Sequence, residues 1–136
     1  MGNAESHIKT ANFDNVKYDK HILINVMDEK DQSVLIKGTL SIENEIETLN
    51  SVLSASKQRE TCVIIYGRNT DDCWKVMQRY KQLRGLGFDA SVYFGGLFEW
   101  LLLQEIYGIS EFPIEKRGSA TADVLKYAPA RKNQKN

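Results

Sequence analysis

The chain has 136 residues, of which 42% are hydrophobic and 26% are charged. This length suits one domain with a core of its own, and the composition excludes a wholly disordered chain. Lys and Arg (18) balance Asp and Glu (18), so the chain lacks the net basic charge of a dedicated nucleic-acid-binding protein. After Pro113, however, six basic residues stand against two acidic ones, a net charge of +4 that leaves −4 on residues 1–113.

Short apolar runs alternate with segments of helical periodicity. The runs at 22–26, 34–36, 62–66 and 90–94 predict strands, and the run at 62–66 lacks polar alternation, as is typical of a central parallel strand. Helices are predicted from Ile42, with Ser41 as the cap, from Asp71, with Thr70 as the cap, and over 97–107. Because strands alternate with helices, we expect an α/β fold with a small parallel β-sheet flanked by helices on both faces.

The predicted helices also have predicted buried faces. In the first helix the apolar positions are Ile42, Ile46, Leu49 and Val52 or Leu53; in the second they are Cys73, Val76, Met77, Tyr80 and Leu83. Gly85 and Gly87 are expected to end the second helix.

Three parts of the chain are distinguished by composition. They are an N-terminal segment (1–19), a compact domain (20–113) and a flexible basic C-terminal tail (114–136). The longest apolar stretch, from Leu97 to Leu103, is interrupted by Glu99 and is too short to span a membrane.

The chain has two cysteines, Cys62 and Cys73. Because the N-terminus lacks an apolar signal-peptide segment, we expect reduced thiols in the cytoplasm. Both cysteines lie on apolar runs and are expected in the core. His7 and His21 lie far from any cysteine or carboxylate pair, so no metal site is expected, and the absence of a P-loop or dinucleotide motif predicts no cofactor.

Two neighbouring segments carry a family resemblance. Residues 83–88 read Leu-Arg-Gly-Leu-Gly-Phe, and residues 92–100 form an apolar strand that leads into Gly95, Gly96 and, four residues later, Trp100. Together with the first strand and the turn at 35–39, they resemble the rhodanese-like domain over roughly residues 20–113. The resemblance implies that Gly95, Gly96 and Trp100 line a binding pocket beside the active-site loop.

The same resemblance locates the loop that would carry the chemistry. In that family a nucleophilic cysteine ends the third strand and opens a loop that holds an anion, often with an arginine at its end. Here Gly67 occupies the cysteine position and Asp72 the arginine position, and the loop consists of Gly67, Arg68, Asn69, Thr70, Asp71 and Asp72. Asn25, Met27 and Leu35 replace the usual aspartate, arginine and histidine. The resemblance therefore implies a rhodanese fold without a thiol to accept sulfur or phosphate.

Cys73 is the alternative nucleophile, because it lies in the first turn of a predicted helix, where the helix dipole favours a thiolate. Asp71 and Asp72 oppose this effect. A divergent sulfurtransferase or thiol-redox enzyme that uses Cys73 thus remains the enzymatic alternative to a non-catalytic module.

The first six residues, Met-Gly-Asn-Ala-Glu-Ser, fit the pattern for N-myristoylation of Gly2. One myristoyl chain anchors only marginally, so a second signal is needed, and the basic tail could contact an anionic membrane surface. These features predict a non-catalytic binding or regulatory module at the cytoplasmic face of a membrane, with an unknown protein or small ligand at the loop. A soluble adaptor without lipid is the remaining alternative.

Overall fold

The computed structural model describes residues 7–117. Its helices are α1 (Phe13–Tyr18), α2 (Ile42–Ser54), α3 (Cys73–Gly85) and α4 (Gly96–Tyr107). Its strands are β1 (Ile22–Asn25), β2 (Val34–Ile36), β3 (Cys62–Tyr66), β4 (Asp89–Tyr93) and β5 (Ile114–Lys116).

The main sheet has three parallel strands in the order β1-β3-β4, with β3 in the centre. The strands stay in register, so that Ile64 of β3 lies between Leu23 of β1 and Ser91 of β4. Residues 63–66 are buried, as expected for a strand covered on both faces. The predicted α/β architecture is confirmed.

Helices cover both faces of this sheet. On one face α1 and α4 pack on a core around Ile64, Tyr66 and Trp100, together with β2. On the other face α2 and α3 pack on a core around Val63, Ile65 and Leu83. The side chains of β3 contribute alternately to the two cores, because successive residues of a strand point to opposite faces.

Helix α2 begins as predicted, with the Ser41 hydroxyl accepting the Asn44 N–H at 3.2 Å. Its predicted buried face is partly wrong: Ile42 and Ile46 are 45% and 57% exposed, whereas Glu45 is buried. The Glu45 carboxylate forms an ion pair with Arg79 of α3, which the apolar periodicity alone does not reveal. Burial raises the pKa of Glu45 above its ordinary range.

Helix α3 is preceded by a 3₁₀ turn over Thr70–Asp72, and the side chain that caps this turn belongs to Asn69, not to Thr70 as predicted. The Asn69 side chain accepts the Asp71 N–H at 2.8 Å. The helix ends at Gly85, and Gly87 follows with a φ of +99°, consistent with the predicted glycine stop.

The folded part extends beyond both predicted boundaries. Before residue 20, the segment next to β4 exchanges backbone hydrogen bonds with Val92, and Val16 of α1 is buried. After Pro113, β5 pairs antiparallel with β2, so residues 114–117 do not belong to a flexible tail. Gly2 and residues 118–136 of the predicted tail lie outside the described residues.

Both cysteines are exposed, so their predicted core positions are wrong. Cys62 opens β3, where its thiol donates to Asp89 at 3.3 Å. Cys73 is the first residue of α3, at the end of the helix, before the stripe that packs on the sheet. Both predictions failed because each cysteine is the first residue of its strand or helix. Apolar periodicity does not show where an element begins.

Candidate functional site

The candidate site lies where the parallel strands end. The carboxyl ends of β1, β3 and β4 meet at one edge of the sheet, as in other parallel sheets where ligands bind at this edge. The predicted loop, residues 67–72, leaves β3 there, and the glycine pair at 95–96 leaves β4 there. The structure therefore brings the two predicted segments together.

Asp72 occupies the space next to Gly67. A Cβ atom placed on Gly67 would lie 2.6 Å from the Asp72 Cβ and 3.1 Å from its carboxylate oxygen. Asp72 is buried, and the same oxygen accepts the Arg68 N–H at 2.8 Å. The Asp72 carboxylate thus lies inside the loop, next to Gly67, the position that the resemblance aligns with the family's nucleophile.

Several backbone amides of the loop have acceptors within the loop itself. The Asp71 N–H is bonded to the Asn69 side chain, and the Asp72 N–H is bonded to the Asn69 carbonyl at 3.1 Å. The Cys73 N–H is bonded to the Thr70 carbonyl. Together with the Arg68 N–H, four amides between 68 and 73 are occupied. These four amides are therefore bonded to the protein's own oxygens, and hold no anion while those bonds are kept.

The start of α4 holds the opposite side of the loop. The Leu97 and Phe98 N–H groups donate to the carbonyls of Gly67 and Arg68 at 3.0 and 2.8 Å. Gly96 has a φ of +65°, and a Cβ there would lie 2.5 Å from the Gly67 carbonyl oxygen. A glycine is therefore required at 96 for both its backbone angle and this close approach.

Gly95 and Trp100, which were predicted to line a binding pocket, have packing contacts in the structure. Trp100 is buried, its indole N–H donates to the Pro113 carbonyl at 2.9 Å, and its ring meets Phe112 edge-on at 5.0 Å. A Cβ at Gly95 would overlap the Glu99 carboxylate. These contacts stabilise the edge of the site, and a binding role for these residues stays a prediction.

Glu99 is held next to the glycine pair by a buried phenol. The Tyr93 hydroxyl donates to Glu99 at 2.6 Å. The pKa of Tyr93 is strongly raised, mainly by burial and to a lesser extent by the nearby Glu99 carboxylate. The hydroxyl therefore stays protonated and keeps its hydrogen bond.

The positions that depart from the family pattern on β1 and β2 are also satisfied internally. Asn25 accepts the Met27 N–H at 2.9 Å and pairs with the Gln32 side-chain amide. Leu35 is buried, and behind it the Tyr66 hydroxyl accepts the Ile36 N–H at 3.1 Å. Burial raises the pKa of Tyr66 to about 12. These residues close the core where the resemblance implies functional polar groups.

The charged side chains around the loop are paired at the surface. The Arg68 guanidinium lies 3.7 Å from the Asp31 carboxylate, and Lys75 contacts Asp28 at 2.8 Å. Both acidic partners lie in the loop that follows β1. Across residues 7–117, no three His, Cys, Asp or Glu side chains come together in a group that could hold a metal ion.

Three exposed aromatic side chains border the edge, and sequence reasoning missed them. Trp74 follows Cys73 and is 62% exposed, Phe94 directly follows β4 and is 38% exposed, and Phe98 lies in the first turn of α4 and is 56% exposed. A signal was available for Trp74, since it lies off the apolar stripe of its helix. Phe94 and Phe98 were hidden within apolar runs that predict a strand and a buried helix.

Comparison with known proteins identifies the fold. No family model and no curated protein matches the chain. Among solved structures, it is similar to the Rhodanese_3 like domain of the Anabaena sp. Alr3790 protein, with 22% identity over 73% of this chain and 95% of that one and a TM-score of 0.50. A structure of the Alr3790 protein gives 19% identity, coverage of 91% and 93%, and a TM-score of 0.52. The chain has a rhodanese-like fold. At these identities the likeness establishes the fold, and the roles of individual residues rest on the geometry above.

Proposed function

We propose that this protein is a non-catalytic rhodanese-like binding or regulatory module. The observation that carries the proposal is the pair Gly67 and Asp72. The nucleophile position has no side chain, and the Asp72 carboxylate occupies the adjacent space while it accepts the Arg68 N–H. A loop filled by its own carboxylate repels the anionic donors on which sulfur or phosphate transfer depends.

The edge of the sheet is the proposed binding surface, and a protein is the favoured partner. Trp74, Phe94 and Phe98 expose large apolar rings around the loop. Aromatic side chains and arginine dominate the binding energy of protein interfaces, and the exposed Arg68 lies on the same loop. A small ligand at the loop has less support, because four of the six amides between 68 and 73 are bonded internally.

Membrane attachment is a second part of the proposal, and it depends on acylation of Gly2. Myristate alone would give marginal binding, and the basic residues after Arg117 would add attraction to an anionic leaflet. Within residues 7–117, none of the helices is long and apolar enough to cross a bilayer. Intact mass after co-expression with an N-myristoyltransferase tests this part, and an unmodified Gly2 would leave a lipid-free adaptor.

The sulfur-transfer assay tests the absence of catalysis. The full chain is supplied with thiosulfate, or with a persulfide donor, and an acceptor thiol. We expect no turnover above that of the C62S/C73S double variant, in which neither thiol remains. Turnover that is well above this control and is lost in Cys73→Ser would reject the non-catalytic proposal.

A thiol enzyme that uses Cys73 is the second candidate, and the exposure of Cys73 at the start of α3 favours it. An exposed thiol at a helix N-terminus is accessible to an electrophile. This candidate requires Cys73 to be alkylated in the native protein faster than a free cysteine at the same pH. Alkylation at or below the rate of free cysteine would reject it.

A further inference from the structure

The outer surface of α2 is both apolar and acidic. Ile42 and Ile46 lie one turn apart, and about half of each side chain is exposed. Glu43 and Glu47 form a parallel row, also one turn apart, and both are exposed. Residues four apart share a helix face, so these four side chains form one continuous surface, named here the α2 surface.

Two open grooves follow the α2 surface. The first, of about 260 Å³, is lined by Glu29, Ile42, Glu43 and Arg117 among others. The second, of about 520 Å³, continues along α2 from Glu47 toward Ala55. Among residues 7–117 no ion pair uses the carboxylates of Glu29, Glu43 and Glu47. The surface therefore offers unpaired negative charge next to exposed isoleucines.

The chain leaves the described fold at the first groove. After β5, the Arg117 N–H donates to the Ser33 carbonyl at 2.8 Å, and its guanidinium contacts the Thr39 carbonyl and Glu115. These bonds fix the point from which the last 19 residues start. Arg117 itself lines the groove, so the following residues begin beside the α2 surface.

The last 19 residues complement this surface in composition. They contain a single apolar group, formed by Val124, Leu125 and Tyr127, and four basic residues, Lys126, Arg131, Lys132 and Lys135, against one acidic residue, Asp123. The segment therefore carries a net charge of +3. Lys126 lies between Leu125 and Tyr127, so a basic side chain accompanies the apolar ones. On α2, the acidic Glu43 likewise lies between Ile42 and Ile46 in the sequence.

The distances allow contact. Residues 118–124 can span up to about 23 Å when extended, whereas Ile42 and Ile46 are separated by one helical turn, about 6 Å. The apolar group is thus within reach of the isoleucines, and the later basic residues are long enough to extend along the second groove toward Glu47.

We propose that residues 118–136 dock on the α2 surface of the same molecule. Leu125 and Tyr127 cover Ile42 and Ile46, while the basic residues contact Glu43 and Glu47. Docking removes exposed apolar area from water and pairs the opposite charges that the composition separates between domain and tail. It goes beyond the proposed function, since it requires neither a lipid nor a partner at the loop.

The experiment uses the full chain labelled at isoleucine methyl groups. Nuclear Overhauser contacts are expected between the Tyr127 ring and the δ1 methyls of Ile42 and Ile46, with methyl shifts independent of protein concentration. Tyr127→Ala should abolish both the contacts and the ring-induced shifts. Buried Ile64 and Ile65 in the same spectrum report whether each variant is folded.

A charge-reversal pair supplies the matched control. Glu47→Lys should move the Ile42 and Ile46 methyls toward their positions in Tyr127→Ala. Glu105→Lys makes the same charge change on α4, at the other face of the sheet, and should leave them unmoved. Tryptic cleavage after Lys126 should be about tenfold faster in Glu47→Lys if docking is about 90% populated in the parent chain.

Three results would overturn the proposal. The first is an absence of Tyr127 contacts in the folded parent chain, with methyl shifts equal to those of Tyr127→Ala. The second is a set of shifts that grow with protein concentration, which would assign the α2 surface to a second copy. The third is a tail that contacts nothing until vesicles containing phosphatidylserine are added, which would assign the tail to lipid.

Discussion

Gly67→Ala is expected to destabilise the protein, although the backbone at 67 does not lie in the left-handed region that disfavours side chains. The added methyl would lie 2.6 Å from the Asp72 Cβ, closer than real contacts of this kind. Asp72 cannot swing away freely, because it is buried and accepts the Arg68 N–H. The substitution therefore measures how tightly the loop is closed on itself.

Two opposing effects set the magnitude. Replacing glycine by alanine at a compatible backbone position stabilises a protein by about 0.4–1 kcal/mol, because the unfolded chain loses freedom. Overpacking a closed site costs about 1–3 kcal/mol. For Gly67 the overpacking should prevail and leave a net loss on the order of 1 kcal/mol, which lowers the melting temperature by a few degrees in a domain of this size.

The assay is urea unfolding of the full chain, with Gly85→Ala as the control. Gly85 ends α3, and a Cβ there meets no atom within 4 Å, so this variant should be neutral or slightly more stable than the parent. In a D72G background the contact atom is gone, and Gly67→Ala should no longer be costly. A Gly67→Ala variant as stable as Gly85→Ala, or a cost unchanged in D72G, would refute the reasoning.

Three further predictions concern other sites. Gly96→Ala should be more destabilising than Gly108→Ala by about 1–3 kcal/mol in thermal unfolding. Both glycines have a positive φ, but only a Cβ at Gly96 would meet the loop backbone. Equal losses of stability would contradict this reasoning. Glu45 has a raised pKa in the folded state, so its contribution to stability is full below its ordinary value of 4.5 and is lost as the pH rises through the folded pKa. The unfolding free energy of the parent relative to E45Q should therefore fall between pH 4 and pH 7, and a rise would show that the ion pair outweighs burial. Burial and the Asp89 carboxylate raise the pKa of Cys62. Alkylation of Cys62 at pH 8, followed by mass spectrometry, should therefore be slower than alkylation of free cysteine and should become faster in D89N. If D89N does not accelerate it, the carboxylate is excluded as a cause.

The main architecture could be predicted from the sequence because burial on both faces leaves a strong signal. The run at 62–66 has no polar alternation, and it forms the central strand. Ser41 and the glycines at 85 and 87 mark helix ends through local backbone chemistry. The pairing of β5 with β2 could not be predicted in this way, since Ile114–Lys116 is short, half-exposed and follows a proline.

Predictions for side chains failed where a tertiary contact outweighs periodicity. Glu45 is buried where it pairs with Arg79 of the neighbouring helix, whereas Ile42 and Ile46 on the same helix are exposed. Neither Glu45 nor Arg79, taken alone in the sequence, indicates that the two form an ion pair. Similarly, the sequence places Asp72 at the arginine position, but the turn of its carboxylate back to the Arg68 N–H depends on the path of the loop.

The internal carboxylate also supplies a hydrogen-bond acceptor from within the loop. A loop that closes around a ligand leaves its amides unsatisfied when the ligand departs, and buried unsatisfied amides are costly. Asp72 removes that cost by supplying an oxygen acceptor from within, and α4 bonds the loop carbonyls from the other side. A thiol at position 67 would therefore require two changes, a cysteine at Gly67 and a smaller residue at Asp72, because either one alone leaves the thiol without space or the loop without a thiol. Gly67 and Asp72, which the sequence shows only as two separate departures from the family pattern, are therefore coupled by the contact between them.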